Sequence, residues 1–270
     1  RLAVIYGGRS GEHDVSLMSA AAVMAALNKK KYQVLQVGIG RDGRWFVGPE
    51  AFECLTRAKK PPARSERLFA ARPPAGLLTL GGKPAEKIDA VFPLVHGTTG
   101  EDGALQGLFD LAGVPYVGSG ILGSALGLDK VAQKYILSRA GLPVARFVTF
   151  RNSDWQKRRP ELIDEIESRL GYPAFVKPAN LGSSVGITTA HHRTELEDGV
   201  RLALGHDEKI LVERAVSAAR EIECGVIGND EPRASVLGEV IPGNEFYDYD
   251  AKYTAGKSRV IIPSELPLGL

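Results

Sequence analysis

Apolar and polar positions fall along this chain in blocks whose period changes from one block to the next. Residues 2–6, LAVIY, form an unbroken apolar run ending in paired glycines, the pattern of a strand buried on both faces. Strong helix formers follow from Ser16 to Asn28. Ser16 or Asp14 is the expected N-cap, and Lys29, Lys30 and Lys31 sit at the end where the helix dipole favours cations. YQVLQVGI then predicts a second strand, so the order is that of a βαβ unit in a parallel sheet. A second pass gives a strand at 90–95, a glycine-rich loop, a helix near 103–112 and a strand at 114–117.

Between these passes, RAKKPPARSERLFAARPPAG is rich in proline and arginine. It predicts an irregular surface excursion, with GLLTLGGK as a short hairpin. Further on, LDKVAQKYILSRAGLPVARFVTF reads as a helix stopped by Gly141 and Pro143, then a strand, and ELIDEIESRLGYPAFVKPA repeats that order. FVKPANLGSSVGIT predicts a hairpin. Phe175 and Val176 lie on its outgoing strand, Gly182–Gly186 in its loop, and Val185, Ile187 and Thr188 on the return. EKILVERAV is a strand, REIECGVIGN a second that alternates from Glu221 to Val226, and PRASVLGEVIP another. No repeat of solenoid type appears.

Composition narrows the class. At 270 residues the chain is long enough for two domains or more, and it has 44% hydrophobic and 24% charged residues. A net charge of +2 gives no field that argues for nucleic acid, and no apolar stretch reaches the length of a membrane span. The first residues lack the basic-then-apolar layout of a signal peptide. Cys54 and Cys224 are far apart, in no metal-like spacing. Free thiols in the cytoplasm are the expectation.

Several stretches carry chemistry. GGRSGEHDVS joins a strand to a helix N-terminus, a place that commonly binds anions, but it matches neither G-x-G-x-x-G nor a P-loop. Glu12 is out of character there. A carboxylate repels phosphate, so it either complements the helix dipole or attracts an ammonium. VHGTTGEDG puts His96 at a strand's C-terminal end, where open α/β sheets place ligands, although a single histidine there is more often structural. Glu101 and Asp102 are expected to cap the next helix. Lys177 follows a buried-looking strand and could neutralise phosphate, with the serine hydroxyls and amides of the LGSSVG turn closing over the same anion. Lys130 lies early in a helix, where a solvated side chain is the ordinary alternative. Glu213 ends an apolar strand, either facing an adenine amine or exposed at an edge. No metal-ligand set and no G-x-S-x-G elbow occur.

Taken in order, GGRSGEHDVSLMSA, HGTTGEDGALQG, GVPYVGSG, LDKVAQKYILSRAGLP, FVKPANLGSSVGI, REIECGVIGN and FYDYDAKYTAGK resemble the ATP-grasp ligases, and among them the D-alanine–D-alanine ligase family. The resemblance implies an α/β fold with an N-terminal parallel-sheet domain followed by an ATP-grasp fold. Its implied domains are 1–118, 119–214 and 215–270. It also implies ligation of two D-alanines through a D-alanyl phosphate for peptidoglycan synthesis, in a cytoplasmic homodimer. ATP and Mg²⁺ (or Mn²⁺) would be the cofactors, and D-alanine and ATP the small-molecule partners. By the same resemblance, Glu12 holds the first substrate's ammonium, with Val15 and His96 beside it. Lys130, Lys177, Ser183, Ser184 and Lys252 face the ATP phosphates, while Glu213, Val216 and Glu221 face the adenosine. Ser183 links Glu12 to Tyr253, on a lid that excludes water from the acyl phosphate. The lid's lysine–tyrosine pair favours a dipeptide product over the depsipeptide of D-lactate-using relatives.

The family's metal ligands and oxyanion arginine follow the lid, and Leu270 comes soon after it. The expectation is therefore an incomplete last domain, no assignable metal residue and a chain inactive as it stands. The alternatives are another carboxylate–amine or carboxylate–hydroxyl ligase, or a non-catalytic nucleotide-binding module.

Overall fold

A computed structural model describes residues 1–56, 88–243 and 258–266. The expected hairpin at 76–83, and Lys252 and Tyr253, lie outside the described residues. The chain divides into two compact units, one of residues 1–144 with 179–182, the other of 145–178 with 183–270.

The first unit is built on β1 (Leu2–Gly7), α1 (His13–Ala26), β2 (Val34–Ile39), β3 (Trp45–Val47), α2 (Ala51–Thr56), β4 (Ala90–Pro93) and α3 (Ala104–Ala112). α4 (Ile121–Leu128) and α5 (Lys130–Arg139) complete it. Its sheet runs β3-β2-β1-β4, with β1 parallel to both neighbours and β3 antiparallel at the edge. This is the expected parallel sheet, and β1 shows why its apolar run is unbroken. Ala3 and Ile5 enter a core with Val37, Val91 and Phe109, while Leu2, Val4 and Tyr6 enter a second with Leu17, Ala20 and Phe46. Burying a residue of this size contributes about 1.5–3 kcal/mol. The strand expected at 114–117 is reduced to a single parallel bridge, Val91 to Tyr116.

α1 starts three residues earlier than expected. Neither Asp14 nor Ser16 caps it; Glu12 occupies the N-cap position. Ser16 lies a turn inside the helix, where its hydroxyl donates to the Leu94 carbonyl and accepts from the Gly7 amide at 2.7 Å. That buried hydroxyl fastens the helix to the ends of β1 and β4. The helix closes at Leu27, so the three lysines lie past its last turn.

The second unit holds β5 (Phe147–Arg151), α6 (Asn152–Arg169), β6 (Ala174–Pro178), β7 (Thr188–Ala190), α7 (Arg193–Leu204) and β8 (Lys209–Arg214). They form an antiparallel sheet, β5-β8-β6-β7, whose core includes Val148, Phe150, Trp155, Ile166, Val176, Val200 and Val212. α6 kinks at Arg158, two residues before Pro160, which has no N–H to donate and crowds the preceding turn. The hairpin is as expected in its outgoing arm but returns later, pairing Val176 with Thr188. Ser183, Ser184 and Gly186 all have positive φ, and this left-handed run keeps Val185 and Ile187 in the loop.

β9 (Glu221–Glu223), β10 (Val226–Ile227), β11 (Arg233–Ala234), β12 (Gly238–Pro242) and β13 (Ser258–Ile261) follow. The single strand expected from Glu221 to Val226 is two. β9 pairs with β12 and β10 with β11, and Gly225 between them is held on the β11 side by the Ser235 amide and hydroxyl. Among the described residues no helix is long and apolar enough to cross a membrane.

Candidate active site

The first cluster forms where β1 and β4 end. The chain leaves β1 through a glycine loop held to its neighbour by Ser10, whose hydroxyl donates to the His96 carbonyl at 2.7 Å and accepts from the Glu12 amide at 3.2 Å. His13, buried behind it, is 2.7 Å from the Gly8 carbonyl through Nδ1. Glu12 is only 6% exposed, yet its side chain makes no capping bond to the helix it precedes. The carboxylate instead faces two glycine backbones. A Cβ added to Gly97 would lie 2.2 Å from Glu12 Oε2, and one on Gly182 would lie 3.1 Å away. Gly97 also has φ +73, so that position excludes side chains twice over. Val15, half-buried, lies in the first turn of α1.

His96 is held at both ring nitrogens. Nε2 is 2.9 Å from the Ser19 hydroxyl, and Nδ1 is 3.4 Å from Glu101 Oε1. The other Glu101 oxygen accepts the Gly97 amide at 2.8 Å. The bond to Glu101 raises the imidazole pKa. Burial works against that rise, and the charges of Glu101 and Glu12 add to it. Burial alone would raise the Glu101 pKa, but His96 and the Gly97 amide outweigh it and hold the carboxyl below the ordinary glutamate range. Glu101 is therefore no helix cap, contrary to expectation. Asp102 does that work, accepting from the Ala104 and Thr99 amides at 3.0 and 2.8 Å. A cavity of about 460 Å³ opens beside His96 and Glu101, lined further by Gln106, Ser119 and Ser124.

Lys130 belongs to the same unit. Asp129 caps α5 by accepting the Val131 and Ala132 amides, which aims the next side chain back at the loop after β6. The Lys130 amide donates to the Ala179 carbonyl at 3.0 Å, and its ammonium donates to the Leu181 carbonyl. This lysine is tied to the loop rather than simply solvated.

In the second unit the register of β6 against β8 sets the site. Phe175 lies opposite Glu213, so Phe175, Lys177 and Glu213 share one face while Ala174 and Val176 point to the core. Lys177 donates to Glu213 across the strands, and its ammonium lies 5.1 Å from the Phe175 ring centroid. Ser183 and Ser184, half-buried, take φ of 48° and 60°, a left-handed pair that is costly outside glycine. Val216 is exposed just past β8, and Glu221 opens β9 opposite Val240.

No local motif marks Ser19, and Glu101 reads in the sequence only as a helix cap. Ser16 and Ser19 do stand four and seven residues beyond Glu12, the spacing of one helix face, which was the available signal. Among the described residues no three carboxylate, imidazole or thiol groups gather as cation donors. None of the described side chains is therefore assigned to the divalent metal that the resemblance implies.

Comparison with known proteins covers nearly the whole chain. Residues 1–119 match the family model of the D-ala D-ala ligase N-terminus, and residues 136–268 match that of the C-terminus. A D-alanine–D-alanine ligase of Natranaerobius thermophilus is 48% identical over 269 residues, 98% of this chain and 73% of that protein. One from Heliobacterium modesticaldum is 46% identical, with the same coverage of 98% and 73%. Among solved structures, the VanG D-Ala:D-Ser ligase of Enterococcus faecalis superposes with a TM-score of 0.83 at 34% identity, covering 99% of this chain and 77% of that one. The D-alanine–D-alanine ligase of Coxiella burnetii gives 0.76 at 34% identity, covering 89% and 68%.

Proposed function

The chain belongs to the D-alanine–D-alanine ligase family, and from that premise we propose how its residues join two D-alanines at the expense of ATP. The observation that carries the reading is Glu12, a buried carboxylate at a helix start that leaves the helix uncapped and turns to the glycines of two other loops. A buried carboxylate set against bare glycine backbone suits the ammonium of a small amino acid, with no side chain in the way. His96 stands beside it with its pKa raised by Glu101, and Val15 flanks the same molecule's apolar part.

In this reading Lys177, Lys130 and the Ser183–Ser184 turn receive the phosphates, and Lys252 reaches the terminal one. Glu213, Val216 and Glu221 line the adenosine. The first D-alanine's carboxylate oxygen attacks the γ-phosphorus and ADP departs. The second D-alanine's amine then adds to the acyl carbon, phosphate leaves with the bridging oxygen, and the amine gives up its proton. Positioning and fixed charge supply most of the acceleration, and Tyr253 helps exclude water. The family also implies a divalent metal that would offset phosphate charge. Peptidoglycan synthesis in the cytoplasm and a homodimeric state belong to the same proposal.

The test is phosphate release from ATP with D-alanine, with L-alanine as control. D-serine and D-lactate, each added beside D-alanine, are the competing acceptors. D-alanine alone should support turnover and L-alanine should not. Turnover that depends on D-serine would favour the activity named for the Enterococcus relative. ATP cleavage indifferent to every acceptor would refute the ligase reading.

A further inference from the structure

We propose that Glu101 is a positioning residue for the ligation, acting through His96: one carboxylate oxygen anchors the Gly97 amide and the other the imidazole Nδ1, so the ring is aimed and its loop fixed together. The inference rests on the proposed placement of His96 beside the first substrate.

Three observations converge on it. The loop that carries His96 is irregular, with positive φ at Gly97, Thr99 and Gly103, so its own backbone does not dictate where the imidazole points. The ring is nevertheless held at both ends, by Glu101 at 3.4 Å and by Ser19 of α1 at 2.9 Å. Glu101 spans residues 96 and 97 at once, so moving the ring means releasing the amide at 2.8 Å as well. Gly97 is also the residue against which the Glu12 carboxylate lies. One side chain therefore sets both the histidine and the wall behind the ammonium-binding acid.

The charges fit the assignment. The titratable groups facing His96 are Glu12, from the start of α1, and Glu101, from its own loop; Ser19 adds a neutral hydroxyl. The Glu101 charge favours the protonated ring, which holds the imidazole to the same carboxylate that anchors the loop.

The experiment compares wild type with Glu101→Gln, following the His96 ring by NMR, with His96→Gln supplying the assignment. The pH dependence of the Michaelis constants is measured in parallel. An opposite charge at this range moves a titration by about one to three pH units. The His96 midpoint should fall by that order in Glu101→Gln, the D-alanine KM should rise at neutral pH, and the ATP KM should stay put. In a His96→Gln background, Glu101→Gln should raise the D-alanine KM by a smaller factor than it does alone. An unmoved midpoint, or an equal factor in both backgrounds, would overturn the positioning role. A lowered midpoint with an unchanged D-alanine KM would instead refute the placement of His96 at the substrate. Ser19→Ala releases the other ring nitrogen without touching the loop. It should raise the D-alanine KM while sparing ATP, and no rise there would also overturn the clamp.

Discussion

Glu12 and the Lys177–Glu213 pair show how much a single side chain decides here. A charge-assisted hydrogen bond is worth about 1.5–3 kcal/mol, so Glu12→Gln should weaken D-alanine by about 10- to 150-fold and leave ATP nearly unchanged. Calorimetry with each ligand separately checks this; equal losses for both would contradict the assigned role. Lys177 should show the reverse bias, but its pairing with Glu213 adds a fold effect. Lys177→Met leaves a carboxylate that is only 11% exposed without its ammonium, and the Lys177→Met/Glu213→Gln double variant removes that conflict. Urea midpoints should therefore fall further in the single variant than in the double. The His96–Glu101 pair gives a pH signature. Glu101, held below its ordinary 4.5, contributes above that pH and loses its contribution as pH falls through the lowered value. His96, held above 6.5, contributes below that pH and loses its contribution as pH rises through the raised one. The stability difference between wild type and Glu101→Gln should peak between about pH 4.5 and 6.5 and shrink on both sides.

At the scale of elements, two contacts dominate how the site is held. Ser16→Ala removes a buried hydroxyl that serves both β1 and the segment after β4, and should cost about 1–3 kcal/mol in chemical denaturation. Gly199 of α7 packs so closely on the hairpin that an added Cβ would lie 2.4 Å from Thr188 Oγ1 and 3.2 Å from Val176 Cγ2. Gly199→Ala should therefore push β7 off the helix, seen as lost amide protection at Thr188–Ala190. Unchanged protection would mean the hairpin is seated some other way. These elements also show what the sequence could and could not reveal. β1 was legible because a strand buried on both faces must be apolar throughout. The late start of β7 was not, since Val185 and Ile187 fit a strand pattern and only the left-handed serines withhold them. The split of β9 from β10 falls at Gly225, held by Ser235 ten residues on, a partner no local pattern names. In the site, Glu12 stood out as an acid in an anion-friendly loop. Glu101 did not, because an acid before a helix reads as a cap until the fold brings His96 to it.

For the whole molecule, function was legible only from motifs in combination. No single loop here matches a general nucleotide signature, yet matches to both ends of one ligase family cover residues 1–119 and 136–268. The described residues put Glu12 and Lys130 in one unit and Lys177, Glu213 and the serine turn in the other. The central claim joins these parts in one reaction, in which the carboxylate of D-alanine is activated by phosphoryl transfer before an amine displaces it. The most direct measurement supplies D-alanine labelled with ¹⁸O in its carboxylate, together with ATP, and weighs the phosphate that is released. The account predicts one ¹⁸O in each phosphate formed with a dipeptide. Dipeptide formed with unlabelled phosphate would contradict it.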